Sequence, residues 1–220
     1  MGFEKAKVNY FKNMKWMNIN FISQYGISGL LRLVIDLICT KLFISSKTRI
    51  IRRPVYIRGK KYIDFGENLT TGVAVRLDAF PEGDANAKCI IFGNNVQLND
   101  YVHIAAVISV TIGNNVLIAS KVFISDHNHG GYGTDGYHDS PDIAPILRPL
   151  RAKSVIIEDN VWIGELVSIL PGVTIGQGAV IGAMSVVNKD IPPYCVAVGV
   201  PARVIKKYDP DIREWVETKN

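Results

Sequence analysis

The chain is short of the features that would tie it to an oxidising compartment, a membrane span or a nucleic acid. Its three cysteines, Cys39, Cys89 and Cys195, are odd in number, far apart and form no CxxC pair. That excludes a disulfide framework or a zinc knuckle and suits a reducing compartment. The opening MGFEKAKVNYFKN is polar and charged where a signal peptide would carry its apolar core. The most apolar stretch, ISGLLRLVIDLICTKLFI at 27–44, is interrupted by Arg32, Asp36 and Lys41. It falls short of the roughly 18–20 continuous apolar residues that a membrane span requires. No nucleic-acid module is visible, and the formal charge of +5 suits a phosphorylated ligand or an anionic surface. The expected location is the cytoplasm.

What the chain does have is a period of six. From Ile157 the sequence reads IEDNVW, IGELVS, ILPGVT, IGQGAV, IGAMSV, VNKDIP, led by Ile157, Ile163, Ile169, Ile175, Ile181 and Val187. The fifth positions, Val161, Val167, Val173, Ala179, Ser185 and Ile191, are mostly small or β-branched. Neither a helix of period 3.6 nor a two-residue strand alternation produces this pattern. A short strand, a corner and another strand do, three to a turn, so that the lead side chains stack inward. The register continues upstream through Ile63, Leu69, Val75, then Phe92, Leu98, Ile104, then Ile112, Ile118, Ile124, with a two-residue slip between Ile104 and Ile112. The expected class is all-β, a parallel β-helix over 55–205, with excursions at 80–89 and 126–153.

Two appendages flank it. Residues 1–54 hold an amphipathic helix in which Leu30, Leu33, Val34, Leu37 and Ile38 share a face. That face packs onto the coil or a neighbouring subunit, or else meets the inner membrane face with help from Lys47, Arg49, Arg52 and Arg53. Residues 206–220 read as a short C-terminal helix capping the coil's edge. Three of the four histidines, His127, His129 and His138, lie on the polar excursion at 126–153. Long loops in compact folds carry function, and histidine is the side chain best placed to take a proton near neutral pH.

The motifs LND, IGNNVLIA, SDHNH, VWIG, ILPGVTIG, VIGAMSVVNKDIPP and VGVPARVI, in this order, resemble the hexapeptide acyltransferases of the maltose and galactoside O-acetyltransferase type. The resemblance covers about residues 90–206. It implies a left-handed β-helix, a homotrimer with sites between neighbouring coils, acetyl-CoA as co-substrate and no metal. His129, five residues after Ile124, would be the general base, and the backbone N–H of Glu165 the oxyanion donor. Trp162 would line the cofactor and acceptor cleft, with Gly164, Ala183 and Met184 along the pantetheine. Lys189, Arg203 and Lys206 would meet the nucleotide phosphates. Asn99 would bond the acceptor. Asp78 and His127 are further acceptor-side candidates, with a structural salt bridge to Arg76 as the other reading of Asp78. In an extended chain His127 is expected to point away from His129. Glu165 and Met184 depart from the small residue and the glycine usual at their positions.

RRPVYIRGKKYIDFGENLTTG, followed by RLDAF, is similar to the leader of acetyltransferases of surface-polysaccharide assembly. The resulting expectation is acetylation of a sugar hydroxyl in O-antigen or capsule biosynthesis. N-acetylation of a nucleotide-linked amino sugar is the alternative, and a metal-dependent hydratase or a binding scaffold on the same coil is a third.

Overall fold

The computed structural model describes residues 21–82, 86–133 and 136–218. The lead residues of every six turn inward: Ile63, Leu69, Val75, Leu98, Ile104, Ile118, Ile124, Ile163, Ile169, Ile175, Ile181 and Val187 are at most 3% exposed. Two-residue strands alternate with four-residue corners, and each strand pairs in parallel with its counterpart one turn on, as Trp162–Ile163 does with Leu117–Ile118 and Val180–Ile181. The coil therefore has three flat faces. Face A carries Thr70–Thr71, Gln97–Leu98, Leu117–Ile118, Trp162–Ile163, Val180–Ile181 and Cys195–Val198. Face B carries Val55–Arg58, Val75–Ala79, His103–Ala106, Phe123–Ser125, Ser168–Ile169 and Val186–Val187. Face C carries Ile63–Asp64, Ile90–Phe92, Val110–Ile112, Val155–Ile157 and Thr174–Ile175. Burying a column of branched side chains along the axis is the main stabilising term, at about 25 cal/mol per Å² of apolar surface.

The corners differ in chemistry. At the C–A corner Asn68, Asn95, Asn115 and Asn160 occupy left-handed backbone (φ 57–60°), which asparagine tolerates. Their side chains form a ladder, Asn68 to Asn95 at 3.2 Å, Asn95 to Asn115 at 3.2 Å and Asn115 to Asn160 at 3.4 Å. At the A–B corner the same conformation falls on Tyr101, Lys121, Leu166 and Met184 (φ 60–61°, 59° for Lys121).

The appendages depart from expectation. The C-terminal segment is not a helix: Arg203–Asp209 and Glu214–Glu217 form an antiparallel hairpin added to face A beyond Cys195–Val198. The last coil leaves an open strand edge, and adding strands to it satisfies more backbone than a helix would. Tyr208 and Trp215 meet edge to face across the hairpin with ring centroids 5.4 Å apart. The N-terminal helix is present, Phe21–Cys39, continued by a wider turn over Thr40–Ile44. However, Val34, Leu37 and Ile38 of the expected packing face are exposed, and only Leu30 and Leu33 are partly covered. Asp36 and Thr40 are buried instead, Asp36 accepting from Arg53 Nε at 2.8 Å and Thr40 Oγ1 accepting from the Ile51 amide at 2.8 Å.

Candidate active site at two corners of the coil

The long excursion leaves the coil at the B–C corner, directly after Ile124. Asp126 fixes its root. This carboxylate is fully buried and accepts from the amides of Val107 (3.0 Å), Ile108 (2.7 Å) and Ser109 (2.8 Å) on the turn below. Its other oxygen takes Nδ1 of His127 at 2.8 Å. The Ser125 hydroxyl also reaches Nδ1 of His127, at 3.4 Å. The neck of the excursion is a two-stranded ribbon pairing His127–His129 with Leu150–Ala152. Residues two apart on a strand lie on one face. His127 and His129 accordingly stand side by side, ring centroids 6.4 Å apart and edge to face. This corrects the expectation that His127 diverges from His129. The His129 ring is exposed, and its carbonyl accepts from Tyr132 Oη at 2.6 Å.

The residues expected to hold the cofactor collect at the A–B corner. Trp162 stands 52% exposed on face A. Gly164 follows it, and a Cβ there would lie 2.6 Å from the Ala183 amide, so only glycine lets the two turns approach. The amides of Gly164 and Leu166 bond to Ile181 and Ser120 carbonyls, at 2.8 and 3.1 Å, but that of Glu165 between them has no acceptor among the described residues. The same holds for Ser120 one turn below and Ala183 one turn above. At the C–A corner the corresponding donors are capped by side chains of the next turn: Glu67 by Asn94 (3.1 Å), Asn94 by Asn114 (2.8 Å), Asn114 by Asp159 (2.7 Å). The A–B corner thus presents a column of uncapped N–H groups about 4.8 Å apart. The Glu165 carboxylate turns toward Lys121, 3.6 Å away and exposed. Met184, 68% exposed, forms the outer wall.

Arg203 pairs with Val198 at the upper end of this corner, its Nη1 bonded to the Ala202 carbonyl at 2.8 Å, and Lys206 lies farther along opposite Val196. Lys189 lies between Val187 of face B and Ile191, which bridges to face C, and so belongs with the histidines. Asn99 lies low on the A–B corner in a cleft of about 200 Å³, its Oδ1 accepting from Gln97 at 3.1 Å. Within one chain the two corners are separated by face B. Its five or six residues at about 3.3 Å each put the histidines roughly 15–20 Å from Glu165 and Asn99.

Face B itself carries an open groove of about 800 Å³ lined by Tyr56, Arg58, Arg76, Tyr101 and His103. Asp78 lies beneath it, 4% exposed, accepting from Arg58 (2.6 and 2.7 Å), Arg76 (2.7 Å) and His103 (3.1 Å). Burial alone would raise its carboxyl, but the bonds from Arg58 and His103 and the charge of Arg76 outweigh it and hold it below its usual range. Asp78 is therefore the centre of a salt bridge. Burial keeps the His103 imidazole below its usual value, more than the bond to Asp78 raises it. The two-residue sequence slip marked the Asp126 cradle, and Arg58 and His103 carried no sequence signal.

The sequence and fold have known counterparts. Residues 154–189 match the model of the bacterial transferase hexapeptide family (six repeats). The chain is 50% identical over 199 residues to a candidate lipopolysaccharide biosynthesis O-acetyl transferase, WbbJ of Escherichia coli K12, covering 90% of this chain and 98% of that one. It is 43% identical to the galactoside O-acetyltransferase of the same organism over 54% of each. Among solved structures, a maltose O-acetyltransferase from Clostridium difficile 630 superposes with a TM-score of 0.56 at 31% identity, covering 81% of this chain and 87% of that one. With a coil of sixes along its length and a relative of this identity over nearly all of it, the chain belongs to the hexapeptide-repeat acetyltransferases, enzymes of the left-handed parallel β-helix fold.

Proposed function

We propose that the protein transfers an acetyl group from acetyl-CoA to a sugar hydroxyl during bacterial surface-polysaccharide biosynthesis in the cytoplasm. The observation that carries this reading is the near-full-length relative named for lipopolysaccharide O-acetylation. The uncapped amides of Glu165 and Ala183 beside Trp162 support it, because they can bond an extended amide-bearing arm and a developing oxyanion. His129 removes the proton as the acceptor oxygen attacks the thioester carbonyl. The Glu165 N–H bonds the tetrahedral oxyanion, and the thiolate of CoA leaves with the proton from the imidazolium. Transfer is direct, in a ternary complex. Because the histidines and the amide column sit on opposite edges of one face, a complete site needs the B–C corner of one copy against the A–B corner of another. A homotrimer closes that arrangement, and Lys189 then meets Arg203 only across a subunit boundary.

One geometric feature favours a second assignment of the base. The Asp126 bond to Nδ1 leaves Nε2 of His127 free to accept, the carboxylate–imidazole pairing of a general base. The deciding experiment incubates the protein with acetyl-CoA and a panel of glycans, reading ester or amide products by mass spectrometry and NMR. His129→Ala should cut turnover by about 10²–10⁴ with acetyl-CoA affinity nearly unchanged. If His127→Ala does so and His129→Ala does not, the base is His127. A trapped acetyl-enzyme or the absence of any acetylated glycan would overturn the reading.

A further inference from the structure

The N-terminal helix packs on the coil by its more polar side. Asp36 and Thr40 are buried against the first turn, held by Arg53 and Ile51. Ile27, Leu31, Val34, Ile35 and Ile38 face outward, 47–72% exposed. At 100° per residue these five fall in one sector of about 100°, the width of a core-facing stripe. Leu42 and Phe43, 71% and 69% exposed, prolong it. A contiguous exposed apolar stripe of this kind marks an interaction surface.

The neighbouring surface says what the stripe meets. A cleft beside the end of the helix is lined by Ile44, Lys47, Lys60, Lys61 and Lys88. The Lys60 ammonium donates to the Phe43 carbonyl, tying the basic cleft to the end of the stripe. Lys88 Nζ donates to the Lys61 carbonyl at 2.6 Å. Of the nearby acids, Asp64 is exposed on the cleft wall and caps the Gly66 amide at 3.1 Å, and Glu67 pairs loosely with Lys47 at 3.8 Å, so the four lysines outnumber the two carboxylates. The cleft is thus positive beside the end of the stripe. We propose that the stripe and this lysine cleft dock on an anionic lipid bilayer, with the helix lying along the headgroup boundary. No described helix is long and apolar enough to cross a membrane, so the contact is superficial. A second copy packed stripe to stripe is the poorer occupant, because it would bring the two lysine clefts together. This docking is independent of acyl transfer.

The test is co-sedimentation of the full chain with phosphatidylcholine vesicles and with vesicles that also contain phosphatidylglycerol. The protein should pellet with the anionic vesicles, less so in high salt, and at least about tenfold less with phosphatidylcholine alone, at about fivefold per basic residue engaged. Lys47→Glu/Lys60→Glu/Lys61→Glu should abolish pelleting, and Leu31→Ser/Ile35→Ser/Ile38→Ser should weaken it at least about tenfold, both keeping the parent's thermal unfolding and acetyl-CoA affinity. No binding by the parent protein, or binding unmoved by either variant, overturns the proposal. So does a serine variant that loses mass in light scattering while still binding vesicles, since a second copy would then cover the stripe.

Discussion

Replacing Asp126 with asparagine isolates the bond set that fastens the excursion to the coil. The buried carboxylate accepts from three backbone amides and from His127. Asparagine keeps one acceptor oxygen and turns an NH₂ toward donors, so at least one amide loses its partner, at about 1–3 kcal/mol. The surviving bonds fall from charge-assisted to neutral, at about 1 kcal/mol each. Together these give a loss of about 4–6 kcal/mol in urea unfolding at fixed protein concentration, with m unchanged. Asp100→Asn is the control. That carboxylate is exposed and caps one amide, Val73, at 2.7 Å, so about 1 kcal/mol or less is expected. A loss under about 1 kcal/mol for Asp126→Asn, or equal losses for both, would refute the assignment of Asp126 as the root of the loop.

Other outcomes follow from the same geometry. Ile163→Ala, at 0% exposure in mid-coil, should cost about 2–5 kcal/mol by thermal or urea unfolding. Because the folded pKa of His103 lies below its ordinary 6.5, the unfolded chain holds that proton more tightly. Stability should therefore be full at high pH and fall as pH drops through about 6.5, with Asp78 adding a further loss below about pH 4. His103→Gln should flatten the upper part of a Tm-against-pH curve. Met184→Gly replaces a side chain held at φ 60° with the residue suited to it, so stability should stay within about 1 kcal/mol. The same variant widens the corner, so acetyl-CoA should bind more tightly in calorimetry. Light scattering should give the mass of three chains.

The coil was legible because its cause is strictly periodic: one inward residue per six, each buried by its neighbours above and below. The slip between Ile104 and Ile112 was legible too, and its meaning is the widened corner whose three amides Asp126 gathers. Of the partners open to the helix's apolar face, its own coil is ruled out, because a buried Asp36–Arg53 pair sets the rotation of the helix. The C-terminal hairpin was hidden because the strand edge it covers, Cys195–Val198, exists only once the last turn of the coil has formed. Arg58, Arg76, Asp78 and His103 meet only through pairing between successive turns of face B, which no local spacing reveals.

The excursion leaves and re-enters the coil at one point, where the Lys153 amide closes on the Asp126 carbonyl at 2.7 Å above the paired strands of the neck. To the turns above and below, a segment of more than twenty residues therefore has the footprint of a single corner. Its sequence and length can drift, or be exchanged for those of a relative, without shifting the register of any strand. A lineage of such enzymes can therefore remodel the surface beyond the His127–His129 neck by exchanging this one graft, while the turns of the coil are inherited intact.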